Sequence, residues 1–322
     1  MEESDMIMQL DNKTSEKSKT GFRNRVYKDF IMNRYVYLLA LPVVAYYIIF
    51  HYAPMYGAII AFKDFRPGAG IMGSPWVGLE NFRNYFSSVY FWRLLRNTFL
   101  LSFYNLIFGF PVPILFALTL NELRNKRLKS VVQTITYLPH FISMVVICGM
   151  IVDFTNSDGI INTIIEFFGG ERSTLLTRSE LFRTIYAVSD IWVNMGWGSI
   201  VYLAALSNID TTLYEASIID GAGRLKQAIH ITLPGIMPTV TIMLILAIGS
   251  LLSVGWEKVL LLYTPVIYET ADVISTFVYR RGIEKADYSY STAVGLFNSV
   301  INFVLIFLAN TVSRKFSETS LW

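Results

Sequence analysis

Apolar and polar positions in this chain are segregated into blocks. Long apolar runs occupy 35–53, 98–120, 131–153, 181–206, 236–262 and 293–312, separated by stretches rich in charge, Gly, Asn and Pro. Each run is near the ~20 residues that a helix rising ~1.5 Å per residue needs to cross a ~30 Å hydrocarbon core. The pattern predicts six transmembrane helices and an all-α, polytopic membrane protein. On this reading, 1–34 is an N-terminal segment, 35–97 a first span with its loop, 98–312 the main bundle and 313–322 a tail.

One segment departs from the pattern. At 207–235, between the fourth and fifth runs, "DTTLYEASIIDGAGRLKQAIHITLP" has the periodicity of helices too short to span a bilayer. Thr212 and Glu215, three apart, predict a capping box that starts a short helix, and Gly221 or Gly223 is the residue to stop it. A second helix from Gly223 places Leu225, Ala228, Ile229 and Thr232 on one face, and Leu233-Pro234 is expected to break or kink it. On periodicity alone the favoured reading is an interfacial connector, with Arg224 and Lys226 at lipid headgroups.

Charge sets the expected orientation, because Lys and Arg of short loops stay on the cytoplasmic side. Lys13, Lys17, Lys19, Arg23, Arg25 and Lys28 precede the first run; Arg124, Lys126, Arg127 and Lys129 follow the second; Arg314 and Lys315 follow the sixth. Both termini and the 207–235 segment are therefore expected in the cytoplasm. The long basic stretch before the first run argues against a cleaved signal peptide. Composition agrees with a membrane protein, at 53% hydrophobic, 16% charged and a mean hydropathy of +0.46. A net charge of +3 is explained by topology and calls for no nucleic-acid partner. The single cysteine, Cys148, excludes an intramolecular disulfide and a cysteine metal cluster, and His51, His140 and His230 have no ligand spacing.

Polar groups inside the runs are the candidate chemistry. In the fourth, Asp190, Asn194, Trp197 and Val201 share a helical face, with Trp192 nearby. An ionisable group there must face the bundle interior or a water-filled cavity. Asp190 is thus a translocation-path candidate or a buried anchor between helices. The tryptophans could stack on a sugar ring or serve as packing. Asn298 and Asn302 in the sixth run could line a path or join helices, and Gly249 with Ser253 suggests close packing in the fifth.

Glu215-Ala216-Ser217, Asp220-Gly221-Ala222 and Ile231-Thr232-Leu233-Pro234 resemble the EAA loop of binding-protein-dependent ABC importers, with Ser217 where a second alanine is usual. "WVGLENFRNYF", "FWRLLRNTF", "YLPHFIS", "ADVISTFVYRRGI", "STAVGLFNSVINF" and the final "SLW" are similar to the carbohydrate-uptake permeases of that class, in its oligosaccharide branch. The resemblance implies the type I ABC importer permease fold, with Glu215, Ala216, Ser217, Asp220, Gly221 and Ala222 coupling the chain to an ATPase. It also implies a second permease subunit, a heterodimer, and two ATPase subunits that hold ATP and Mg, so that this chain needs no cofactor of its own. An extracellular solute-binding protein would deliver an oligosaccharide, at the bacterial cytoplasmic membrane. The chain has no G-x-x-x-x-G-K-[ST] loop with which to cradle nucleotide phosphates. A non-sugar solute, an ATPase-independent channel or carrier, and an intramembrane enzyme are the alternatives; no nucleophile–base, metal or carboxylate set stands at a spacing that favours the last.

Overall fold

The computed structural model describes residues 22–316, with side chains from 27 to 315, and among these the fold is all-α apart from one isolated bridge, Lys63 to Trp76. Two compact units divide at Ile59/Ile60. The first holds α1 (Phe22–Met32) and α2 (Arg34–Tyr47), and α2 continues through a π turn at Ile48–Tyr52. Asp29 fastens the start of α2, accepting hydrogen bonds from Asn33 Nδ2 at 2.7 Å and the Tyr37 hydroxyl at 2.6 Å.

The second unit carries α3 (Glu80–Phe86), α4 (Phe91–Tyr104), α5 (Pro111–Glu122), α6 (Lys126–Tyr137), α7 (Met144–Thr155), α8 (Ile160–Phe167), α9 (Phe182–Ser207), α10 (Thr211–Ile219), α11 (Arg224–Gln227), α12 (Leu233–Gly249), α13 (Trp256–Leu262), α14 (Ile274–Tyr279) and α15 (Tyr288–Phe316). Five stretches among the described residues are long and apolar enough to cross a membrane: Arg34–Phe62, Phe91–Glu122, Met144–Phe167, Arg224–Gly249 and Tyr288–Lys315. The fourth predicted span, α9, has the length, with 26 residues, but not the apolarity. Its position explains why. Phe182, Tyr186, Ala187, Val193, Gly196, Tyr202 and Leu206 are buried along it, so protein rather than lipid is much of its solvent.

Two of three apolar clusters are built on this axis. Tyr202 and Leu206 pack with Ile114, Ala117 and Ile236; Phe182, Tyr186 and Val193 pack with Ile147, Ile151, Val259 and Leu262; and Tyr85, Leu94, Ile274 and Val294 form the third. Gly196 permits the closest approach to α9, since a Cβ there would lie 2.2 Å from the Thr136 carbonyl oxygen of α6.

Two predicted spans are broken. The 131–153 run is not one helix: α6 ends at Tyr137, a 3-10 turn takes Leu138–Phe141, and α7 starts at Met144. Pro139 lacks the N–H that would continue the ladder. The 236–262 run ends as a helix at Gly249 and resumes at Trp256. In the gap, Asn302 of α15 accepts from the Leu252 N–H (3.1 Å) and donates to Ser253 Oγ (2.8 Å), while Asn298 Nδ2 donates to the Leu252 carbonyl (3.3 Å). Side chains thus satisfy backbone groups that lipid could not. Ser253 consequently lies outside any helix, and the expected Gly249–Ser253 packing stripe reduces to Gly249, where a Cβ would meet Ile306 at 2.8 Å.

Candidate functional site

The 207–235 segment folds as a helix, a hinge and a second helix, with two local differences from the reading above. Its N-cap is Asp210, whose carboxylate accepts the Thr212 N–H at 2.9 Å. The Thr212/Glu215 box is therefore not formed: Asp reaches a free N–H of the first turn with a shorter, charged acceptor. That hydrogen bond also holds the Asp210 carboxyl below the usual carboxylate range. The stop is Gly221, at φ +73°, with Ala222 N–H bonded to the Ser217 carbonyl (2.9 Å) and Gly221 N–H to the Ile218 carbonyl (3.0 Å). This pair of bonds is a Schellman motif, and only glycine takes that φ without strain. Leu233-Pro234 does not break the second helix. Residues 224–249 run on through a π turn at Ala228–Thr232, and Pro234 lies in the first turn of α12, where its missing N–H costs little.

Two side-chain links hold α10 against the following helix: Gln227 Nε2 donates to Ser217 Oγ (2.9 Å), and Tyr214 and Thr232 share a hydroxyl hydrogen bond (3.0 Å). Within α10, Ser217 Oγ donates to the Tyr214 carbonyl (2.7 Å), and beyond it Arg224 of α11 lies 3.7 Å from Glu122 of α5. Ser217, the departure from the family pattern, accepts a bond that alanine could not. Glu215 and Ala216 are exposed, as are Asp220 and Gly221. Ile218 and Ile219 are 65% and 86% exposed, so the outer face of α10 offers apolar side chains beside a carboxylate that pairs with no described residue of this chain.

The polar candidates of α9 separate into two levels. At the first, Asp190 Oδ1 accepts from Lys258 Nζ of α13 at 3.2 Å, and Asp190 Oδ2 accepts from Asn105 Nδ2 at 3.3 Å. Lys258 is buried, donates also to the Tyr186 carbonyl (3.0 Å) and sits over the Tyr186 ring at 4.4 Å. A cavity of about 260 Å³ lined by Ser102, Asn105, Ser250 and Ser253 adjoins this level. At the second, Asn194 Oδ1 lies 3.2 Å from His140 Nδ1, and the Trp197 ring stacks on His140, centroids 4.6 Å apart and 6° from parallel. Trp192 lies elsewhere, lining an apolar cavity with Ile151, Phe154 and Ile185. Asn298 and Asn302 bind the 250–255 gap and meet none of the α9 candidates.

Sequence reasoning did not find Lys258, Asn105 or the role of His140. Lys258 carried a signal, since a lysine inside an apolar run demands a partner; Asn105 and His140 carried none.

An apolar helical bundle with a polar core and a capped, glycine-stopped helix standing out from one end is the architecture of a type I ABC importer permease. The chain belongs to the family of binding-protein-dependent transport system inner membrane components, whose profile matches residues 109–318. It is 44% identical over 301 residues to the polygalacturonan/rhamnogalacturonan transport system permease protein YteP of Bacillus subtilis (strain 168), covering 93% of this chain and 94% of that one. It is also 44% identical over 291 residues to protein LplB of the same organism, covering 90% and 92%. Among solved structures it resembles a chain of a bacterial ABC transporter involved in the import of the acidic polysaccharide alginate, with a TM-score of 0.83 and 43% identity over 90% of this chain and 99% of that one. A chain of the bacterial alginate ABC transporter in complex with an alginate pentasaccharide-bound periplasmic protein matches with a TM-score of 0.85 and 42% identity, over 92% and 100%.

Proposed function

We propose that this chain is a permease subunit through which an oligosaccharide crosses the cytoplasmic membrane by alternating access, driven by a separate ATPase that docks on α10. The observation carrying this reading is that Glu215 is exposed and unspent: Asp210 caps the helix, so the acid is free for a partner, beside the exposed Ile218 and Ile219. The saccharide reading is supported by the names of the relatives above. The partners of the reading are a second permease subunit in a heterodimer, two ATPase subunits carrying ATP and Mg, and an external solute-binding protein. The basic loops support cytoplasmic termini.

On this mechanism, ATPase closure displaces α10. The Ser217–Gln227 and Tyr214–Thr232 links carry the motion into the continuous 224–249 helix, and Arg224–Glu122 carries it to α5. Gly235 lets that helix pass close to Ile209, as a Cβ would lie 2.8 Å from Ile209 Cδ1. Within the bundle, Asn194, Trp197 and the cavity beside Asp190 supply the mixture of hydroxyl partners and ring faces that a sugar requires. Trp192, Asn298 and Asn302 contribute by holding the helices around them. Glu215→Lys is expected to leave the permease inserted while reducing sugar-stimulated ATP turnover of the reconstituted complex at least tenfold. Unaltered turnover would overturn the docking role.

A further inference from the structure

Apart from the polar core of α9, a cavity of about 490 Å³ lies between α13, α14 and the first three turns of α15. That is the size of a small-molecule site. Two of its lining residues form a ring stack: Trp256 lies on Tyr279, centroids 5.2 Å apart and 24° from parallel, and Trp256 stays 45% exposed. Its polar lining comes from Ser275, Ser291, Thr292 and Asn298. The three hydroxyls have spent their protons on carbonyls, Thr292 and Ser291 on that of Tyr288 (2.6 and 3.1 Å) and Ser275 on that of Val254 (3.4 Å), and keep lone pairs to offer. Asn298 has spent its Nδ2 on the Leu252 carbonyl (3.3 Å), and its Oδ1 is buried without a hydrogen-bond partner among the described residues.

An unpaired buried acceptor is unfavourable, so the cavity calls for an occupant that donates. An acyl chain would leave the Asn298 oxygen unmet, and a carboxylate would set lone pairs against lone pairs. Water meets the acceptors but gains nothing from the ring faces. A pyranose ring does both, since its C–H face lies on an aromatic ring while its hydroxyls donate. Gly295 leaves space for it, because a Cβ there would meet nothing within 4 Å. We propose that this cavity is a saccharide subsite separate from the α9 core, holding one sugar ring with its apolar face on Trp256 and its hydroxyls donating to Asn298, Thr292 and Ser291. The inference rests on the oligosaccharide reading above and adds a station to it. Asn298 and Ser275 also hold the Leu252 and Val254 carbonyls, so the occupied subsite bears on the 250–255 gap that joins the 224–249 helix to α13.

The test uses the complete importer in proteoliposomes with its own binding protein at saturation, and follows uptake of radiolabelled galactotriose, trigalacturonate and maltotriose. Uptake of the trisaccharide that wild type carries is expected to fall stepwise from Gly295→Ala to Gly295→Leu as the cavity fills, by about tenfold or more at the second step, without a drop in the thermal unfolding midpoint of the purified permease. Trp256→Leu should lower uptake about tenfold, and Trp256→Phe, which restores a ring face, should recover most of it. Thr292→Val removes one acceptor at constant shape and should lower uptake about two- to tenfold. Wild-type uptake in both Gly295→Leu and Trp256→Leu would overturn the subsite, assign the cavity to water or lipid and leave the sugar reading intact. A loss in Trp256→Leu that Trp256→Phe does not recover would also overturn it. Uptake of none of the three by wild type would remove the sugar reading, and the subsite with it.

Discussion

Asp190 and Lys258 hold the most consequential contact in the bundle, because among the described residues each is the other's only ion-pair partner and Lys258 is buried. Removing one partner of such a pair leaves a charge that nothing else balances, at about 3–5 kcal/mol. Asp190→Asn or Lys258→Met alone should therefore markedly lower the thermal unfolding midpoint of the purified permease, and the double variant should recover most of the loss. An Asp190→Asn permease of unchanged stability but altered sugar response would instead make Asp190 a path residue. The acid was legible in sequence because an ionisable group in a span has to face inward. Its partner was not, since Lys258 lies 68 residues away and no local rule reads a pairing across that distance. His140 was likewise visible only as a lone histidine, and it takes its place through the Trp197 face and Asn194.

Among the elements, α10 was the most legible and its cap the least. Glycine at the C-terminus follows from a backbone requirement that few residues meet, so the stop could be narrowed to Gly221 or Gly223; at the N-terminus the expected Thr212 cap gives way to Asp210, two residues earlier. Gly221→Ala should strain the φ +73° turn by about 1–2 kcal/mol, read as faster amide exchange at Ala222 and weaker ATPase coupling. Because the Asp210 carboxyl titrates below its unfolded value, its contribution to α10 is fully present above the unfolded pKa of ~3.9 and fades as pH falls through the lower folded value. Amide exchange of Thr212, corrected for its intrinsic rate, should accelerate only in that acidic window. The breaks at 138–143 and 250–255 escaped sequence reasoning because both lie within predominantly apolar runs; the first follows from Pro139, and the second is supported by Asn298 and Asn302 of α15, which accept from and donate to its backbone and Ser253. Asn302→Leu is expected to loosen 250–255, seen as a local rise in exchange at Leu252 without loss of α15.

At the scale of the molecule, the proposed mechanism makes the buried axis α9, the continuous 224–249 helix and α10 one mechanical path from a docking surface to the polar core. Six runs predicted the fold class, although α9 is less apolar than a lipid-facing span because its neighbours are helices. The account stands on which side of the membrane α10 faces and what it touches. The most direct measurement is site-specific cross-linking from Ile219→Cys in a Cys148→Ala background, on the assembled importer in sealed right-side-out vesicles. The account predicts a cross-link to the ATPase subunit that sugar and nucleotide modulate, and no labelling by an impermeant thiol reagent added outside. External labelling of that cysteine, or a fully assembled complex with no cross-link to the ATPase, would contradict it.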